Sequence, residues 1–267
     1  MILLDRLREQ FPTAKRQTLK RMVQSRRVLI NNIPAAKLTH PIRPEDRIAI
    51  VPEKKGIEPS LPFPIIFEDR DILIINKPAG LLTSTVPRER RPTALAAVTR
   101  YLRATDPAAH VGLIHRLDRD AAGLLVFSKN PAAYASLKTQ FFHHTVARIY
   151  HALVSPPPKA DAGRIDSRLI ERADGSVHST HQPNKGQPAV TDFVVTSRHG
   201  NIAHLKVTLH TGRKHQIRVH LSESGFPILG DTQYAGKPDK SGLHLTAVHL
   251  AFDHPRTSKR LCFQIAD

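Results

Sequence analysis

The chain has 267 residues, 40% hydrophobic and 24% charged, which is the make-up of a folded globular protein and excludes disorder as a description of the whole. Its 40 Lys plus Arg against 23 Asp plus Glu give a formal charge of +17, which points to a polyanionic partner, either nucleic acid or an anionic membrane surface. One cysteine, Cys262, excludes disulfide frameworks and multi-cysteine zinc sites, and with no long apolar run and no secretory signal the expectation is a soluble, cytoplasmic protein.

Residues 1–55 read as a small separate domain. Leu3, Leu4, Leu7 and Phe11 recur at near-helical spacing, and Leu19, Met22 and Val23 form the apolar face of a second helix over 14–25. Residues 27–32 read as a strand ending in a turn, and 47–51 as another strand. Lys15, Arg16, Lys20, Arg21, Arg26 and Arg27 form a cationic run with no acid inside it. Such a run is either a solvated helix face or a surface facing RNA or DNA, and the overall charge favours the second.

Residues 52–64 hold four prolines and a glycine. The linker is placed at 56–64 and a second domain at 65–267. Strands are predicted at 71–76, 123–128, 150–154, 191–196, 202–209 and 249–252, and helices at 93–103, 131–141 and 214–222. His199-Gly200-Asn201 predicts a hairpin turn. The stretch 155–189 is rich in Pro, Gly and polar residues and reads as extended loop. Strands and helices do not alternate regularly, so the expected class is α+β with a mixed, largely antiparallel sheet.

Two segments carry candidate chemistry. HRLDRDAAGLLVFSK, residues 115–129, runs from a dense charged cluster into an apolar strand. The cluster is either an ion-paired structural turn or a functional acid among cations at the mouth of a buried strand. GRKHQIRVHL, residues 212–221, reads as a glycine turn followed by an amphipathic helix with Arg213, Lys214 and Arg218 in its first turns. There the choice is between a basic helix face and a site for phosphate or carboxylate.

Together these segments resemble the two hallmark motifs of the RluA-type RNA pseudouridine synthases. Supporting pieces follow in the family's order: NKPAG at 76–80, RIYHALV at 148–154, AVT at 189–191, PILGD at 227–231 with Tyr234, and LAFDHP at 250–255. The likeness covers about residues 63–263, and the first 50 or so residues resemble the small S-four-like RNA-binding domain often found ahead of this catalytic domain. The chain departs from the family pattern at Ala121-Ala122, Lys214 and Thr246, none of which is the family's catalytic position.

The resemblance implies an isomerase that converts uridine to pseudouridine in structured RNA, ribosomal ahead of transfer RNA. Isomerisation calls for no redox cofactor, nucleotide or metal. The family's catalytic carboxylate matches Asp118, either as nucleophile at the sugar carbon or as manager of a glycal-type intermediate. The family's tyrosine matches Tyr150, and the arginine that pairs with the carboxylate matches Arg218. Arg116 matches the arginine that fills the place of the flipped nucleotide. Lys77 is expected to shape its loop or meet a phosphate, and Arg213 and Lys214 to contact RNA. His143-His144 is expected at the surface, Cys262 in the core, and the protein as a monomer. A non-catalytic RNA-binding or ribosome-assembly protein is the alternative. A glycosidase is disfavoured by the 5% aromatic content and absence of Trp.

Overall fold

The computed structural model describes residues 1–51, 60–85, 91–180, 182 and 184–266, and the chain divides into two compact units, Met1–Glu58 and Pro59–Asp267. Residues 56–59 of the expected linker lie outside the described residues.

In the first unit, helices α1 (Leu3–Gln10) and α2 (Arg16–Gln24) pack on a three-stranded antiparallel sheet of β1 (Val28–Ile30), β2 (Ile33–Pro34) and β3 (Ile48–Ile50), in the order β2-β1-β3. Leu3, Leu7, Leu19 and Val28 are fully buried in its core. The β1–β2 turn uses two consecutive left-handed residues, Asn31 and Asn32, at φ 51° and 68°. Asparagine tolerates that conformation, and the Asn31 side chain locks the turn by donating to Asp46 and accepting from the Arg47 N–H. With Leu19, Met22 and Val23 inward, Lys15, Arg16, Lys20 and Arg21 are left exposed.

The second unit is built on one twisted sheet. Its elements in chain order are β4 (Ile65–Glu68), β5 (Ile72–Lys77), α3 (Ala94–Thr105), β6 (Gly112–Leu113), β7 (Ala122–Ser128), α4 (Pro131–Phe142), β8 (Ala147–Val154), β9 (Ala162–Glu171), β10 (Val177–Thr180), β11 (Gln187–His199), β12 (Ile202–Leu209), α5 (Gln216–Glu223), β13 (Leu245–Asp253) and β14 (Arg260–Gln264). The strand order is β10-β9-β11-β12-β8-β13-β7-β5-β4, with β14 on β13 and β6 on β7. Only the β13–β7 pair is parallel among these, so the α+β class and the mixed, largely antiparallel sheet are as expected. The predicted turn joins β11 to β12, with His199 opposite Ile202.

The parallel contact requires glycine. Gly123 has φ +113°, and a Cβ there would lie 2.3 Å from the Ala247 carbonyl oxygen. This close approach seats the start of β7 against β13 in the middle of the sheet, and the charged cluster leads directly into it. At the other end of β5, the buried Asp71 accepts two hydrogen bonds from Arg256, at 2.7 and 2.6 Å, and one from Asn130, which also caps α4.

Three expectations need correction. Residues 155–189 are not extended loop, because they contain β9, β10 and the start of β11. The inward side of β9 runs Gly163, Ile165, Ser167, Leu169, and Ser167 bonds to His220 and Ser179, so the apolar alternation that marks a strand is broken. Helix α5 does not carry Arg213 and Lys214 in its first turns, and of the two readings left open for it the basic surface face is the one excluded. It starts at Gln216, after Arg213 and Lys214, and its residues 216–221 are all buried. Cys262 is exposed, since β14 is an edge strand that turns Leu261 and Phe263 toward the protein.

Candidate active site

The HRLDRD cluster resolves into two acids with different surroundings. Asp120 is held by its neighbour Arg119 through two 2.8 Å hydrogen bonds at the surface, and this contact, ahead of the opposing effect of burial, lowers its pKa. Asp118 instead faces a cavity of about 420 Å³. Its backbone is gripped on both sides. Thr83 Oγ1 donates to the Leu117 carbonyl at 2.7 Å and accepts from the Leu117 N–H. Lys77 Nζ donates to the Arg119 carbonyl at 3.0 Å.

Lys77 is fully buried and uses its remaining donors on the Pro78 and Leu81 carbonyls, both at 2.8 Å. Burial lowers its pKa to about 8, against the raising influence of Asp120 and Asp118. A lysine with three carbonyl partners and no solvent access braces the loop, so of the two roles expected for Lys77 the structure has it shaping the loop, and its place among the RNA contacts is corrected.

Arg218 comes from α5, which is aimed by Gln216. The Gln216 amide accepts from Thr211 and the Arg213 N–H and donates to Val190 and Thr191, tying the helix start to β11. From there Arg218 reaches Asp118 Oδ2 at 3.3 Å. Its stronger partner is Asp231, which accepts from Nε and Nη2 at 2.8 Å each, and Gln233 accepts from Nη2 at 3.1 Å. Burial alone would lower the Arg218 pKa, but the hydrogen bonds and charge of Asp231, then the charge of Asp118, raise it. The guanidinium also lies over the Tyr234 ring at 4.9 Å.

His215 is the other neighbour of Asp118, with Nε2 3.9 Å from Oδ1. It adopts a left-handed conformation at φ 53° just before α5, and its Nδ1 lies 2.7 Å from the Tyr234 hydroxyl, which also accepts from the Val177 N–H. Burial lowers the His215 pKa, with Asp118 opposing.

Tyr150 lines the same cavity from β8, which pairs on one side with β12 and on the other with β13. It is buried, and desolvation raises its pKa, with Arg148 opposing and Asp118 reinforcing. Arg116 is exposed at the rim, and Arg213 and His144 also line the cavity. Lys214 turns away to the β9–β10 hairpin, where Nζ meets Glu171 at 2.5 Å and the Gly175 carbonyl at 2.7 Å, so its expected RNA contact is corrected too.

The structure therefore brings Asp118, Tyr150, Arg218, Arg116 and Arg213 to one cavity and leaves Lys77 and Lys214 out of it. The residues the sequence did not single out for a role are Asp231, His215 and Arg148. Asp231 and His215 lie inside recognised motifs, but nothing in their spacing reports that the chain folds them onto Arg218 and Asp118.

This arrangement is a carboxylate held between an arginine and a histidine beside a buried tyrosine, in a cavity lined by several cations. The family model described as RNA pseudouridylate synthase matches residues 71–223. The uncharacterized RNA pseudouridine synthase YlyB of Bacillus subtilis is 33% identical over 258 residues, covering 93% of this chain and 84% of the relative. The ribosomal large subunit pseudouridine synthase D of Escherichia coli K12 is 31% identical over 265 residues, covering 91% and 81%. The solved structure of human RNA pseudouridylate synthase domain containing 4 shares the fold, with a TM-score of 0.64 over 76% of this chain and 87% of that one at 24% identity. By its matched motif region and its relatives along nearly the whole chain, the protein belongs to the RluA-type RNA pseudouridine synthases and is an isomerase.

Proposed function

We propose that this protein isomerises specific uridines of structured ribosomal RNA, with Asp118 as the catalytic carboxylate. The observation that carries the reading is Asp118 itself, a partly buried acid facing a basic cavity with Arg218 on one side and Tyr150 near by. A surface that only bound RNA would gain nothing from a carboxylate there. The ribosomal choice is supported by relatives described as acting on the large ribosomal subunit.

In this scheme the target nucleotide leaves its stack and enters the cavity, and exposed Arg116 fills the gap it leaves, its flat guanidinium stacking where the base was. Tyr150 offers a buried ring for the uracil to stack on. Asp118 acts at the sugar as the C1′–N1 bond breaks, either by attack on C1′ or by taking a sugar proton to give a glycal. The freed uracil turns, C5 bonds to C1′ as the Asp118–C1′ bond breaks or as C2′ of the glycal regains its proton, the C5 proton departs and N1 gains one, so the product is an isomer of the substrate. Arg218 keeps Asp118 oriented through its hydrogen bond to Oδ2. The first unit adds an S-four-like RNA grip through the exposed Lys15, Arg16, Lys20, Arg21 and Arg26, with Arg27 beside them.

Pseudouridine mapping of ribosomal and transfer RNA from cells with and without the gene tests the substrate. The expected result is the loss of one or a few sites in ribosomal RNA. An unchanged map together with a ribosome-assembly defect would favour the non-catalytic alternative.

A further inference from the structure

Arg148 is a buried cation that this scheme leaves unused. It sits on β8 two residues before Tyr150, so both side chains leave the same face of the strand. It is only 8% exposed, yet its Nε is buried without a hydrogen-bond partner. Among the described residues no carboxylate pairs with it. Its guanidinium lies over the Phe141 ring at 5.5 Å. It runs so close beneath Gly212 that a Cβ on that residue would sit 2.4 Å from Nη1, so a larger residue there would displace the guanidinium from its present position. Burial lowers its pKa, a sign that the charged form lacks compensation in the free protein.

Its neighbours in the cavity deepen the imbalance. Lys138 and Arg213 line the same space, and among the described residues their side chains meet backbone carbonyls and no carboxylate, Ile114 at 3.4 Å and Pro188 at 3.1 Å. His144 also lines it, and after burial the charges of Arg148 and Arg213 are what lower its pKa, so the field there is positive. The one acid lining the cavity among the described residues is Asp118, which Arg218 already holds. A buried, unpaired charge is destabilising. Retaining one beside two further cations makes physical sense where a ligand brings the anion.

We propose that Arg148, with Arg213 and Lys138, forms a receptor for a phosphate group of the substrate RNA. A neutral uracil would leave the three cavity-lining cations uncompensated, whereas a phosphodiester neutralises charge and accepts the forked donors of a guanidinium. Because Arg148 is enclosed, a backbone phosphate reaches it only when its nucleotide has been drawn into the cavity. The contact would therefore register a flipped nucleotide and set its sugar over Asp118. The inference rests on the reading of the cavity as an RNA site.

The test uses the full chain with Arg148→Met and Arg148→Lys. Melting in inorganic phosphate is compared with melting in chloride at equal ionic strength, and calorimetry compares uridine 5′-monophosphate with uridine. The wild type should be stabilised by phosphate beyond chloride and should bind the monophosphate at least tenfold more tightly than uridine. The Met variant should melt higher in chloride, by roughly 2–4 °C, and should lose both preferences, while the Lys variant keeps part of them. A wild type without a phosphate preference, or a Met variant that keeps it, overturns the proposal. Pseudouridine formation on a large-subunit ribosomal RNA transcript is measured on the same preparations. If the wild type forms none while its phosphate preference depends on Arg148, the RNA reading fails and the anion site stands. If the wild type turns the transcript over and the Met variant does so equally well, the site takes free phosphate and its assignment to RNA is wrong.

Discussion

Arg218 grips Asp231 with two hydrogen bonds of 2.8 Å and reaches Asp118 with a single longer one of 3.3 Å. Asp231, almost fully buried, therefore fixes the guanidinium plane and leaves Nη1 directed at Asp118. The ion pair expected between Arg218 and Asp118 is present, but it is the weaker half of a three-residue array, and the anchoring acid comes from the PILGD motif.

Asp231→Asn should damage the array from behind. It keeps the side-chain shape but removes the charge that matches Arg218, and breaking such a buried pair costs about 3–5 kcal/mol. The melting temperature should drop, and single-turnover isomerisation should fall at least tenfold with RNA affinity nearly unchanged. Full turnover in the folded variant would show that Arg218 needs no such anchor.

Tyr150 makes a prediction about pH. Desolvation raises its phenol above the ordinary value of 10, with Arg148 opposing and the Asp118 charge reinforcing. The folded group thus stays protonated through neutral and mildly alkaline pH, so its ionisation gives the rate no alkaline limb between about pH 6 and 9. Tyr150→Phe should keep the stacking ring and RNA binding and show a pH–rate profile of the wild-type shape. An alkaline fall in the wild type that vanishes in the Phe variant would contradict this.

Asp71 ties the C-terminal region to β5. Hydrogen bonds from Arg256, against the effect of burial, bring its pKa from 3.8 to about 2. A carboxylate whose folded pKa is depressed contributes stability that is complete above its unfolded value and is lost as pH falls through the folded one. Stability should accordingly drop between about pH 4 and 2, and Asp71→Asn should be less stable at neutral pH with a flatter profile across that window. Urea denaturation at a series of pH values measures both.

Removal of residues 1–55 should leave the second unit folded, because each unit has its own buried core. It should weaken RNA binding and reduce the logarithmic salt slope by roughly 0.7–0.9 for every RNA phosphate that the first unit neutralises. Unchanged affinity and slope would show that the first unit does not bind RNA.

The parts of the fold legible in the sequence are those with regular local patterns. Leu19, Met22 and Val23 at helical spacing mark α2, the apolar run from Leu124 to Phe127 marks β7, and Gly200 between two β-rich runs marks a hairpin. β9 is hidden because half its inward positions are Gly163 and Ser167, which pack against or bond to neighbours without adding hydrophobicity. In α5, Arg218 and His220 look like surface charge until their partners Asp231, Ser167 and Thr191 are folded around them. Motif resemblance picks out Asp118, Tyr150 and Arg218, which the fold brings to one cavity. For Lys77 the sequence leaves loop-shaping and phosphate contact open, and for Lys214 it predicts an RNA contact, because it reports a charge and not the carbonyls or carboxylate that engage it.

The central claim is that Asp118 performs chemistry on uridine within RNA. The most direct measurement is single-turnover pseudouridine formation on saturating large-subunit ribosomal RNA transcript, read by mass spectrometry, with wild type and Asp118→Asn. The variant keeps the side chain's size and removes its charge, so it should fold and bind the RNA while forming no detectable pseudouridine. Substantial product from the purified variant, or none from the wild type on any ribosomal RNA, would contradict the account.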